Sequence, residues 1–174
     1  MTPIHENMLQ IVRTRTGLGL AVRAASPEDE AVMQAFYDQV SEDDRRFRFF
    51  SAQGNVGHEQ LAPMLETDHF RRETFLAFRG DNGELVAVAM LACDNPMEVA
   101  EVAISVRADY RGRGIGWSLL DLLAHEAQRR GVREVIAIED RENHAAIELE
   151  REKGFVPRGF DGDPQLVVLS QRFA

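Results

Sequence analysis

The stretch Arg111-Gly112-Arg113-Gly114-Ile115-Gly116 has the residue types and spacing to bind a phosphate. Glycines let the backbone come close to a bulky anion and aim successive N–H groups at it. A helix opening directly behind them adds its unpaired first-turn amides and its dipole. Arginines 111 and 113 can add charge-assisted hydrogen bonds. Two common phosphate loops do not fit. The dinucleotide fingerprint G-x-G-x-x-G would place its third glycine at position 117, which is Trp117, and no Lys-Ser or Lys-Thr follows the glycines as in a nucleotide-triphosphate loop.

Glu101 is the second residue of interest. It stands in the otherwise apolar run Val99 to Val106, where a carboxylate is out of place unless it faces a cleft. A carboxylate there could act as a general base. The competing reading is a solvent-facing glutamate, or an ion-pair partner for Arg107 or Arg113. Glu98, three residues earlier, is the fallback base. Asn143, ahead of an amphipathic run, reads as a helix N-cap.

These residues need a strand before the glycine turn and a helix after it, and the pattern supplies both. Val99 to Val106 is β-compatible, and Ile115, Leu119, Leu122, Leu123 and Ala127 recur at helical spacing until Gly131. Upstream, 73–79 and 84–94 read as strands joined by the hairpin turn Gly80-Asp81-Asn82-Gly83, with Asn95-Pro96 as the next turn. Three strands joined so tightly must be antiparallel. Val132 to Ile138 follows a full helix, so it must run parallel to the strand before that helix. Asn143 to Lys153 predicts another helix, and 155–160 and 165–170 predict two terminal strands. Earlier, 18–24 reads as a strand, and Ser26-Pro27-Glu28-Asp29-Glu30 as a capped helix start carrying Val32, Met33, Phe36 and Tyr37 inward. Ser41 opens a second helix through Phe50, whose aromatics are expected to pack while Arg45, Arg46 and Arg48 reach water. A third short helix is expected over 61–67. Residues 1–17 are expected to be a loose arm or a short helix. The fold class is α+β (often filed as α/β): a mixed sheet of six or seven strands, an antiparallel meander plus one βαβ unit, with about four helices, in a single domain over 1–174.

Composition narrows the partners. The 174 residues carry a net charge of −9, which argues against broad binding to nucleic acid or an anionic membrane and favours a cationic partner. Cys93 is the only cysteine, so no intrachain disulfide can form. The five histidines are scattered with no metal-ligand spacing, so no metal is expected. The longest apolar run, Leu85 to Cys93, is far short of the ~20 residues a membrane helix needs, and no signal peptide opens the chain. A cytoplasmic protein is expected, with its oligomeric state open and a dimer allowed.

The turn resembles the R/Q-x-x-G-x-G/A signature of the GNAT N-acetyltransferases. The segment Asn143-His144-Ala145-Ala146-Ile147 through Lys153-Gly154-Phe155 resembles that family's second motif, N-x-x-A…G-F. Within the superfamily, Ala100-Glu101-Val102-Ala103 and the Arg-Phe repeats of 41–50 look like the acetyltransferase domain of bacterial protein-lysine acetyltransferases. The resemblance implies that Arg111, Gly112, Arg113, Gly114, Ile115 and Gly116 hold the diphosphate of acetyl-CoA. It implies that Ile104, Ser105 and Val106 offer backbone to the pantetheine arm between two splayed strands, with an N–H near Val106 for the thioester oxyanion. Asn143 would bond the same arm, its alternative being the plain N-cap. Glu101 would be the base for direct attack of an amine, from a protein lysine or a small molecule. A lysine-like amine of pKa ~10.4 is neutral in only about one molecule in 10³ at pH 7, so a base is required. Many members place a tyrosine seven residues after the motif asparagine to protonate the leaving thiolate; here that residue is Glu150, and no general acid is assigned. Glu148, Glu150 and Glu152 read as a solvated helix face. The second functional reading is a non-catalytic acyl-CoA-binding or regulatory domain.

Overall fold

The computed structural model describes residues 9–49 and 56–173, so Phe50 lies outside the described residues, as do the first eight. Eight strands form one sheet: β1 (Gln10–Arg13), β2 (Gly19–Ala24), β3 (Arg72–Arg79), β4 (Leu85–Cys93), β5 (Val99–Val106), β6 (Glu134–Asp140), β7 (Val156–Gly159) and β8 (Leu166–Arg172). Their order across the sheet is β1-β2-β3-β4-β5-β6-β8-β7. Among the described residues only β5 and β6 are parallel, as the helical crossover between them requires. The sheet has one strand more than the upper expectation. Gln10–Arg13 is not a loose arm: it pairs antiparallel with β2, Gln10 opposite Val22 and Arg13 opposite Gly19.

Five helices cover the sheet: α1 (Glu30–Asp38), α2 (Glu42–Phe49), α3 (His58–Leu65), α4 (Ile115–Arg129) and α5 (His144–Glu152). One face receives Met33, Phe36 and Tyr37 of α1 with Leu61, Met64 and Leu65 of α3. Val32 is turned outward instead, at 37% exposure. The other face receives Ile115, Leu119, Leu120, Leu122, Leu123 and Ala127 of α4. Because both faces are covered, β4 is buried along almost its whole length and reads as a continuous apolar run. The start before α1 is held as its sequence suggests: the Asp29 carboxylate accepts from the Ser26 amide at 2.9 Å and pairs with Arg23 at 2.8 Å. That hydrogen-bonded arginine holds the Asp29 carboxyl below its ordinary range.

Candidate active site

The sheet opens where its one parallel pair comes apart. β5 and β6 pair only at Val99–Glu134, Ala100–Val135 and Glu101–Ile136. Beyond Glu101, β5 stays bonded to β4 as far as Val106, while β6 stays bonded to β8 as far as Asp140. The facing edges of 102–106 and 137–140 are therefore left without a ladder partner. A cavity of about 390 Å³ occupies this gap. Its wall includes Glu101, Ile104, Ser105 and Val106 from β5, Arg111, Gly112, Gly114, Ile115 and Gly116 from the turn, and Asn143 ahead of α5.

The turn is shaped by its glycines. Gly112 and Gly114 both take positive φ, +76° and +80°, and Gly114 is the residue from which α4 starts. A β-carbon at Gly114 would stand 3.3 Å from Arg15 Cγ and close to Thr14 and Thr16. No side chain caps α4; the first amide of the stretch to find a backbone acceptor among the described residues is that of Ser118, on the Gly114 carbonyl. The amides before it stand at the helix mouth beside the cavity, where unpaired first-turn N–H groups favour negative charge. The hairpin turn between β1 and β2 braces this mouth. Thr16 Oγ1 donates to the Arg113 carbonyl at 2.6 Å, and the Arg15 guanidinium lies 4.2 Å over the Trp117 ring. Lys153 lies 4.0 Å over the same ring, and Arg15 and Trp117 also line the cavity.

The two arginines of the turn behave differently. Arg111 lines the cavity and pairs with Asp44 of α2 at 3.6 Å. Arg113 does not line it: its guanidinium stacks 4.7 Å over the buried Tyr110 ring, leaving only its backbone in the turn. Tyr110 is buried and accepts from Arg79 at 2.7 Å, and it also lines the cavity.

The inner end of the cavity is acidic. Glu101 is exposed to it and stands clear of the arginines suspected as partners. Arg107 pairs instead with Asp109 and Glu84. Glu98 sits in the β4–β5 turn, away from the cavity. Asn143 is both N-cap and wall: its Oδ1 accepts from the Ala146 amide at 3.4 Å while its Nδ2 donates to Glu139 Oε2 at 3.3 Å. Glu150 overturns the solvated-face reading. Glu148 and Glu152 are exposed, but Glu150 is 7% exposed and turned toward Glu139 of β6. Burial first, then the neighbouring carboxylate, raise the Glu150 carboxyl far above its ordinary range. Burial raises Glu139 as well.

α2 also departs from expectation. Arg46 reaches the surface, but Arg45 bends inward to the Tyr37 and Val40 carbonyls at 3.1 and 3.2 Å. Arg48 and Phe47 line the cavity. Sequence reasoning missed Arg15, Arg48, Glu139 and the burial of Glu150. Glu139 ends the apolar run of β6 and is followed by Asp140, Arg141 and Glu142, so nothing in the local sequence sets it apart as Glu101 is set apart. Among the described residues there is no cluster that could hold a metal ion, and no helix is long and apolar enough to cross a membrane.

The sheet thus parts at its single parallel pair, beside a glycine helix mouth without a side-chain cap and a wall of carboxyl groups. The chain belongs to the acetyltransferase (GNAT) family, whose model matches residues 26–155. It is an acyltransferase of that family. It is 25% identical over 154 residues to "Acetyltransferase PA5475" of Pseudomonas aeruginosa, covering 87% of this chain and 83% of that one. It is 27% identical over 105 residues to the SPbeta prophage-derived uncharacterized N-acetyltransferase YokL of Bacillus subtilis, covering 60% of this chain and 57% of that protein. Among solved structures, the GNAT domain of S. lividans PAT superposes with a TM-score of 0.87 at 25% identity, covering 99% of this chain and 100% of that one.

Proposed function

We propose that the chain transfers an acetyl group from acetyl-CoA to an amine by direct attack within a ternary complex. The observation that carries this reading is the parting of β5 from β6. It leaves the β5 edge, the glycine helix mouth and Glu101 on one continuous cavity. The residues fit the cosubstrate. The amides of 112–117 and the Arg111 guanidinium would take the diphosphate, with Arg15 beside them. The free edge of Ile104, Ser105 and Val106 would pair with the amide-bearing arm, and Asn143 faces the same space. Bound there, the thioester supplies an activated acyl carbon. An N–H near Val106 offers hydrogen-bond stabilisation to the oxygen that gains charge.

Glu101 takes the proton from the attacking amine, directly or through water. The acceptor is a cationic amine, either a protein lysine or a small molecule. Glu101, Glu139, Glu150 and Asp44 line the cavity, offset by Arg48, Arg111 and Arg15, and the whole chain carries a charge of −9. No metal takes part in this reading. A chain of this charge works on amines away from nucleic acid and membrane surfaces, and we place it in the cytoplasm.

The test pairs two measurements on wild type and Glu101→Gln. Calorimetry with acetyl-CoA should give equal affinities. Thiol release over a panel of amines should fall by about 10²-fold or more in the variant, the scale of losing a general base. Equal turnover would remove Glu101 from this role. Tight binding with no transfer to any amine would leave a domain that only binds acyl-CoA.

A further inference from the structure

Two carboxyl groups meet at the inner end of the cavity, and the reaction above uses neither. Glu150, from the middle of α5, is 7% exposed and turned against Glu139 of β6. Both line the cavity that also holds Glu101 and the glycine mouth. Glu150 Oε1 is buried, with no donor facing it among the described residues. The groups around Glu139 are few: Asn143 donates to its Oε2, Arg48 faces it from α2 and Glu101 faces it from β5. Among the described residues, Glu139 is the only titratable group brought against Glu150.

Two carboxylates in contact away from water cannot both stay ionised, so one proton is held between them. Arg48 and the Asn143 amide stabilise charge on Glu139, whereas Glu150 has only Glu139 for a partner. The proton therefore resides on Glu150. A buried, neutral carboxyl in the reaction cavity is a proton donor, and the chemistry calls for one. A thiol of pKa ~8.5 leaves as a thiolate unless protonated. Here that anion would form in a wall already carrying the charges of Glu101 and Glu139.

We propose that Glu139 and Glu150 form a carboxyl–carboxylate pair that stores one proton and delivers it, from Glu150, to the sulfur leaving the acyl group. This step rests on the function proposed above. As the nitrogen–carbon bond forms and the carbon–sulfur bond breaks, Glu101 accepts the amine proton and the Glu150 proton passes to sulfur. The products are an amide and a neutral thiol. Glu150 is reprotonated, from Glu101 or from solvent at the cavity mouth, before the next cycle. Glu150 is then a catalytic residue, and Glu139 positions and retains its proton.

Three readouts test this. Infrared difference spectra of ligand-free wild type against Glu150→Gln at neutral pH should show the carbonyl stretch of an un-ionised carboxyl. Glu150→Gln should bind acetyl-CoA as wild type does, with kcat down by about 10²-fold or more. In Glu139→Gln the alkaline limb of the pH–rate profile should move to lower pH, because Glu150 loses the neighbour that holds its proton. A merely structural pair would leave that limb in place. Full-rate Glu150→Gln, or a spectrum without the un-ionised band, overturns the proposal. Failure of wild type to bind acetyl-CoA would overturn the parent reading and this step together. Normal binding and transfer with an indifferent Glu150→Gln would overturn this step alone.

Discussion

The two ends of the cavity are built of different material. At the helix mouth the working groups are backbone amides, exposed by Gly112 and Gly114 at positive φ and braced by Thr16 on the Arg113 carbonyl. At the inner end they are side chains: Glu101, Glu139 and Glu150, with Arg48 opposite. A site made of backbone is broken by changing its shape and is indifferent to many side-chain charges. A site made of buried carboxyls keeps its shape under isosteric change but loses its proton chemistry. One end should therefore fail in affinity and the other in rate.

The largest break in that division is expected from Gly114→Glu. A side chain there is strained by the left-handed backbone and meets Arg15 and Thr14, and its charge would enter the space proposed for the diphosphate. Calorimetry should show acetyl-CoA binding lost at millimolar cosubstrate while circular dichroism stays native. Retained micromolar binding would place the anion elsewhere.

The next effect sharpens the other end, through stability. The Glu150 carboxyl is raised in the folded state, so its contribution is present below its ordinary value of 4.5 and is lost as pH rises through the window above it. Glu150→Gln cannot ionise and its amide can donate to Glu139. Its melting temperature should exceed that of wild type, by a margin that widens from pH 5 to pH 9. The slope difference can reach about 1.4 kcal/mol per pH unit. Parallel melting curves across that range would show that Glu150 ionises normally. The variant would thus be more stable and slower, where Gly114→Glu is folded and empty.

The smallest expected effect is at Arg15→Ala. Losing one charged donor beside the helix mouth should weaken acetyl-CoA by about tenfold and leave kcat alone. A change in kcat would mean that the β1–β2 turn acts on the reacting end as well.

The same division explains what could be read without coordinates. Backbone sites are written in local sequence, because glycine spacing and the strand-to-helix switch lie within about ten neighbouring residues. The positions of β5, the turn and α4 follow from that stretch, and the parallel β6 follows from the crossover rule. Asn143 was legible for the same reason, as a cap at a helix start. The carboxyl pair was not. Glu150 sits among charged neighbours on α5, and only the placement of α5 against β6 separates it from Glu148 and Glu152. The inward turn of Arg45 and Arg48 is not legible either, because a helix of arginines and aromatics does not reveal which face meets the sheet. Gln10–Arg13 became a strand through pairing with β2, a gain invisible in four mostly exposed residues.

Everything at the inner end presupposes a thioester delivered from the helix mouth, so the decisive experiment is titration of the wild-type protein with acetyl-CoA in a calorimeter. Saturable binding of one equivalent with micromolar affinity, competed by free CoA, is the expected result. No heat at millimolar acetyl-CoA from a folded protein would contradict it.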